Sequence, residues 1–178
     1  SKHDLTIERV MGIFDELGSP LIVKEPSTSF SLRVEKVRDS AEFFRVARRF
    51  IKLSDWIVVQ QFIESKYDWR VGVLGGKLLY VCKYTIPSDT FKIQASVNGH
   101  LVYCGVESVT PEKVPPHVVR LGIDAAHAIG NGLYGVDIKN NNGDAYVIEV
   151  NDNPSIESGE DDCYPRVFDQ IVTHLFRK

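Results

Sequence analysis

Cysteine is scarce in this sequence: three among 178 residues, at Cys82, Cys104 and Cys163. They are odd in number, far apart and free of any CxxC pair, which argues against a disulfide framework and a zinc site. A reducing, cytoplasmic setting is the expectation. No apolar run approaches the length that spans a bilayer, and no signal-peptide pattern opens the chain. Positive charge is not in excess. Lys plus Arg number 21 against 24 Asp plus Glu, a formal net charge of −3, which argues against generic nucleic-acid binding. Internal repeats, low-complexity linkers and a GxGxxG after a strand are all missing. Neither a nucleic acid nor a membrane is an expected partner, and the oligomeric state stays open.

The composition that remains is globular, with 43% apolar and 25% charged residues. The length suits one large domain or two small lobes, with enough chain to bury a core. Ser1 is not Met and runs straight into a helix pattern. The expectation is a trimmed fragment with chain missing upstream.

Ile7, Val10, Met11 and Phe14 recur at helical spacing, with Asp4 as a candidate cap and Gly18 as a stop. Leu21–Val23 and Phe30–Val37 read as paired strands around a serine-containing loop. Asp39 and Ser40 open a second helix pattern, whose Arg45, Arg48, Arg49 and Lys52 read as a solvated face. Strands follow at Trp56–Phe62, Asp68–Leu74 and Lys77–Ile86, the last two joined by Gly75-Gly76. A polar loop covers Pro87–Gly99, and a further strand runs from Leu101 to Val109. Pro115 and Pro116 open a helix that Gly130 closes. Strands at Leu133–Ile138 and Ala145–Val150 flank a turn at Asn140–Asp144. An acidic run, Glu157–Asp162, precedes a last helix from about Tyr164 to Phe176. The pattern is α+β with mostly antiparallel strands.

The last hairpin carries the clearest chemistry. Glu149 and Asn151 are two apart on a strand and share a face, and pairing across the turn brings Asp137 opposite them. Three oxygen donors without sulfur or imidazole suit a hard cation such as Mg²⁺ (or Mn²⁺). Mg²⁺ fills its remaining positions with phosphate and water, so the implied partner is a nucleotide.

Gly135-Val136-Asp137 followed by Glu149-Val150-Asn151-Asp152-Asn153-Pro154 resembles the metal-binding segment of the ATP-grasp superfamily, whose core is D…ExNxxP. The nearest likeness is to the ribosomal-protein glutamate ligase and glutathione synthetase branch. The resemblance runs from about Pro20 to Pro154. It implies an α+β ATP-grasp fold of two lobes, each a mostly antiparallel sheet with packed helices, with the nucleotide between them. Residues 1–60 would form the smaller lobe with a lid hairpin, and 61–178 the larger lobe with the metal hairpin.

The resemblance also implies roles for single residues. Asp137, Glu149 and Asn151 match the metal ligands. Lys24, in Pro20-Leu21-Ile22-Val23-Lys24, resembles an ATP-contacting lysine. Val59-Gln60-Gln61-Phe62-Ile63 resembles the hinge strand, with Gln61 where an acid often stands and Phe62 and Ile63 as the bed for the base. Asp68 matches a ribose-contacting acid. Arg70 matches a family arginine that can grip phosphate or a carboxylate. Lys92, in Phe91-Lys92-Ile93-Gln94, falls where relatives carry an arginine. The lid departs from the family, whose loop is glycine-rich. Here Ser27, Ser29 and Ser31 stand instead, and their hydroxyls can donate to phosphate.

The implied activity is that of an ATP-dependent carboxylate–amine (or thiol) ligase working through an acylphosphate, with ATP, a carboxylate and an amine or thiol acceptor as partners. Two alternatives stand beside it: a nucleotide-binding or regulatory module without turnover, and an ATP-grasp small-molecule kinase.

Overall fold

The computed structural model describes residues 5–26, 32–86, 91, 94–97, 100–103 and 105–176. The chain divides into two compact units, residues 1–62 and 63–178. No helix among the described residues is long and apolar enough to cross a membrane.

In the first unit, helices α1 (Ile7–Leu17) and α2 (Ser40–Phe50) accompany strands β1 (Leu21–Lys24), β2 (Val34–Val37) and β3 (Val58–Gln61). The antiparallel sheet has the order β2-β1-β3. Strand β1 alternates: Leu21 and Val23 are buried, whereas Ile22 and Lys24 are half-buried. The buried set meets Val10 of α1 and Phe43, Val46, Ala47 and Phe50 of α2 in one core. Thr6 caps α1, its side chain accepting from the Arg9 amide; the expected cap, Asp4, lies outside the described residues. Asp39 caps α2 by accepting from the Glu42 amide at 2.8 Å, and the Glu42 carboxylate in turn accepts from the Arg38 amide at 2.8 Å. The unit extends through Phe62 because Gln61 pairs with Leu21 and the Phe62 amide donates to Pro20 O at 3.2 Å.

The second unit is built on the antiparallel sheet β10-β9-β4-β5-β8. Its strands are β4 (Tyr67–Leu74), β5 (Lys77–Thr85), β8 (Gly105–Ser108), β9 (Leu133–Asn141) and β10 (Asp144–Asn151). A separate ribbon pairs β6 (Gln94–Val97) with β7 (His100–Tyr103). The single strand expected at Leu101–Val109 is therefore two, β7 and β8, each hydrogen-bonded to a different partner. The turn expected at Asn140–Asp144 shrinks to Asn142-Gly143, both at positive φ (53° and 94°), which matches the twist of the flanking strands.

Both faces of this sheet are covered. Trp69, Val71, Val73, Val81, Val136 and Ile138 pack with Val118 and Ala126 of α3 (Pro116–Ile129). Leu74, Tyr80, Cys82 and Tyr84 pack with Val167 and Ile171 of α4 (Val167–Phe176). Gly72 makes the second layer possible. A Cβ there would lie 2.2 Å from the Tyr80 ring, and that ring is fully buried and has nowhere to go. Gly72→Ala is expected to lower stability by about 1–3 kcal/mol through overpacking. Urea unfolding measures this, and an unchanged midpoint would contradict the packing described.

Candidate functional site

The register of four strands assembles the site. Cys82 of β5, Arg70 of β4, Asp137 of β9 and Glu149 of β10 are successive cross-strand partners. One step along, Tyr84, Asp68 and Lys139 form a second row. One step the other way, Tyr80, Gly72, Gly135 and Asn151 form a third. Directly paired residues point to the same side of a sheet. These rows therefore share one face, and the α3 core lies behind it.

A β-bulge makes this possible. Val147 pairs with Ile138, yet Glu149 pairs with Asp137, so β10 carries one extra residue at Ile148. Ala145 and Val150 both pack into the α3 core although they lie five positions apart, a step that would put them on opposite faces of a regular strand. Without the bulge, Ile148 would stand opposite Asp137, and Glu149 would turn toward Val136 and the core.

The charges on this face are paired. Arg70 donates from Nε to Asp137 Oδ1 at 2.7 Å and from Nη2 to Oδ2 at 2.9 Å, a two-pronged ion pair. Lys139 donates to Asp68 Oδ1 at 2.6 Å. Asp137 and Asp68 are only 6% and 8% exposed, whereas Glu149 is exposed. Asn151 donates from Nδ2 to Gly135 O at 3.3 Å and to Asp137 Oδ2 at 3.4 Å. Burial alone would lower the Arg70 pKa, and the Asp137 carboxylate more than offsets it, so the guanidinium is held above its ordinary value. Burial also pushes the Asp68 carboxyl up, against the opposing pull of Lys139.

This donor set fits a hard divalent cation. The Asn151 amide spends its nitrogen on protein acceptors, so its carbonyl oxygen is the atom that could ligate. Asp137 Oδ1 takes one hydrogen bond and retains a lone pair.

Beneath the row lies Glu160, whose Oε1 accepts from the Tyr84 hydroxyl. Burial raises its carboxyl above the ordinary value of 4.5, against the lowering effects of Tyr84 and Arg70. The folded chain then holds a proton that the unfolded chain releases. This contribution to stability falls as pH rises from about 4.5 toward the raised folded value. Glu160→Gln is expected to remove that slope. Urea midpoints for both proteins between about pH 5 and about pH 8 test it, and parallel curves would contradict the shift.

The structure brings together five of the expected residues: Asp68, Arg70, Asp137, Glu149 and Asn151. Lys24, Gln61 and Phe62 belong to the first unit. There Lys24 lies on the sheet face opposite the buried Leu21 and Val23, and Gln61 is exposed at the end of β3. Phe62 carries Lys36 Nζ 3.5 Å over its ring. Ile63, half-buried, begins the second unit. Ser27, Ser29, Ser31 and Lys92 lie outside the described residues. Lys36, Lys139 and Glu160 were not anticipated. Lys139 was within reach, since it is two residues from Asp137 and so on the same face. Glu160 carried no such signal, because it sits in an acidic run that reads as solvated.

A probable alpha-L-glutamate ligase of Syntrophotalea carbinolica is 29% identical over 162 residues, covering 89% of this chain and 50% of that protein. Probable alpha-L-glutamate ligase 2 of Shewanella amazonensis is 28% identical with the same coverage. The chain thus spans about half the length of the curated relatives it matches. Among solved structures, the D-alanine–D-alanine ligase from Bacillus anthracis, complexed with ATP, superposes with a TM-score of 0.69 at 19% identity, covering 92% of this chain and 56% of that one. The ATP-grasp ligase PsnB, complexed with Mg, ADP and a phosphomimetic variant of its minimal precursor, gives 0.65 at 20% identity, covering 96% and 51%. At these identities the likeness is one of fold. The family model of the RimK-like ATP-grasp domain matches residues 2–175, nearly the whole of both units. With the α+β architecture and the Asp137–Glu149–Asn151 hairpin, that match makes this chain a member of the RimK-like ATP-grasp family.

Proposed function

We propose that this chain is the ATP-grasp portion of an ATP- and Mg²⁺-dependent carboxylate–amine (or thiol) ligase. The observation that carries the reading is the row Arg70–Asp137–Glu149, with Asn151 beside it, on one face of one sheet. The names of the relatives support ligation as the reaction class. In this reading residues 1–62 are the smaller lobe and 63–178 the larger.

Asp137, Glu149 and Asn151 would hold Mg²⁺ (Mn²⁺ suits the same donors), which would supply positive charge against the ATP phosphates. Arg70 presents a guanidinium already aligned by Asp137, so no reorganisation is needed when anionic charge develops nearby. Lys24 supplies a second fixed positive charge, and Lys92, Ser27 and Ser29 are assigned to phosphate contacts. Gln61, Phe62 and Ile63 bind the base, and Asp68 binds the ribose. The substrate carboxylate attacks the terminal phosphorus of ATP, ADP leaves, and the amine or thiol displaces phosphate from the acylphosphate. No protein nucleophile is required.

Titration calorimetry with ADP, with and without Mg²⁺, tests this. Metal-dependent binding supports the reading. Indifference to Mg²⁺, or no binding in a full-length protein that contains this domain, would overturn it.

A further inference from the structure

Glu160 is the most deeply buried carboxylate among the described residues, at 1% exposure, and nothing in the proposed reaction uses it. Burying a carboxylate is costly unless its oxygens are satisfied. Here one oxygen accepts from the Tyr84 hydroxyl. The other, Oε2, and the neighbouring Tyr80 hydroxyl face each other beyond an ordinary hydrogen-bond distance. A leucine at 160 and a phenylalanine at 84 would fill the same space without that cost. The polar link therefore does something that packing alone does not.

What it does follows from the next contact. The Tyr84 ring lies under the Arg70 guanidinium, with Cζ 5.4 Å from the ring centroid. Arg70 in turn grips Asp137 with both prongs. Glu160 thus fixes the hydroxyl end of a ring whose face supports the arginine. Glu160 also belongs to the stretch of chain that leaves the site at Asn151. Pro154 seats on Gly135, where a Cβ would lie 2.8 Å from the proline Cβ and 3.6 Å from Arg70 Cδ. The Glu160 amide then closes a turn on Glu157 O at 3.2 Å. The segment is held at one end beside Arg70 and at the other beneath Tyr84.

We propose that Glu160 is a positioning residue that, through Tyr84, sets the orientation of the Arg70–Asp137 pair. Its importance for nucleotide binding rests on the function proposed above; its effect on the pair does not.

The test uses the whole chain and three variants, Glu160→Gln, Glu160→Ala and Tyr84→Phe. The first readout is the ¹⁵N–¹H signal of Arg70 Nε, assigned with Arg70→Lys. Its proton is hydrogen-bonded to Asp137 and is expected to exchange slowly with water. The second readout is the affinity for Mg·ADP. Glu160→Gln keeps an acceptor for the Tyr84 hydroxyl and is expected to preserve the signal and the affinity. Glu160→Ala and Tyr84→Phe are expected to speed Nε–H exchange and weaken Mg·ADP binding, each by about tenfold. The double variant is expected to be no worse than Glu160→Ala alone. A folded Glu160→Ala or Tyr84→Phe protein with an unaltered Arg70 signal would overturn the proposal and leave Glu160 as a packing residue. Should Glu160→Ala fail to fold, Tyr84→Phe decides, since it removes one oxygen and keeps the ring. Failure of the wild type to bind Mg·ADP counts against the proposed function, while the Arg70 signal still decides the role of Glu160.

Discussion

Arg70→Ala is expected to destabilise the 63–178 unit by about 3–5 kcal/mol, the cost of leaving a buried carboxylate without its partner. The Arg70 and Asp137 side chains are 14% and 9% exposed, so water does little to replace the lost guanidinium. Asn151 supplies one long hydrogen bond to the same carboxylate, too little to stand in for a bidentate cation. The companion variant Arg70→Ala/Asp137→Ala leaves no unpaired charge and is expected to recover a large share of the loss. Urea unfolding of the three proteins measures both effects. A loss below about 1 kcal/mol in the single variant would mean that the pair behaves as a surface salt bridge.

Glu149→Gln is expected to do the reverse: to cost little stability and much function. Glu149 is exposed on β10, and surface substitutions away from special features usually fall within about 0.5 kcal/mol. Gln keeps the shape and removes the charge that a divalent cation needs. Under the proposed function, Mg·ADP affinity falls at least about tenfold, or about 1.4 kcal/mol, and the difference between Mg²⁺-containing and Mg²⁺-free titrations disappears. Equal Mg²⁺ dependence in wild type and variant would remove Glu149 from the metal site. The two substitutions thus separate the halves of the row. Arg70 and Asp137 are built into the fold, and Glu149 stands exposed on the outer strand.

Much of this fold was legible because its periods are clean. The apolar Leu21–Val23 run, the Phe43–Val46–Ala47–Phe50 stripe and the two-residue Gly75-Gly76 turn each have one reasonable reading, and the structure contains all three. The division of 101–109 into β7 and β8 was not legible, because an apolar run does not reveal that its halves pair with different strands. Asp137 and Glu149 were correctly set face to face, but period-two arithmetic across the Asn142-Gly143 turn places Ile148 opposite Asp137. The bulge that corrects this leaves no mark in residue type. The pairing of Asp68 with Lys139 was missed because it depends on how β4 and β9, far apart in sequence, align. Glu160 was missed because burial is a property of the folded chain.

The extra residue at Ile148 has a consequence beyond the site. Strand β10 is the outer margin of its sheet, and Tyr146 and Val147 leave apolar surface exposed beside it. A flat apolar margin invites another chain to add a strand. A bulge breaks the regular spacing of donors and acceptors and bends the strand, so an incoming chain cannot run in register past it. The irregularity that turns Glu149 toward Asp137 thus also interrupts the donor and acceptor spacing along this margin, so one extra residue shapes both the face and the edge of the sheet.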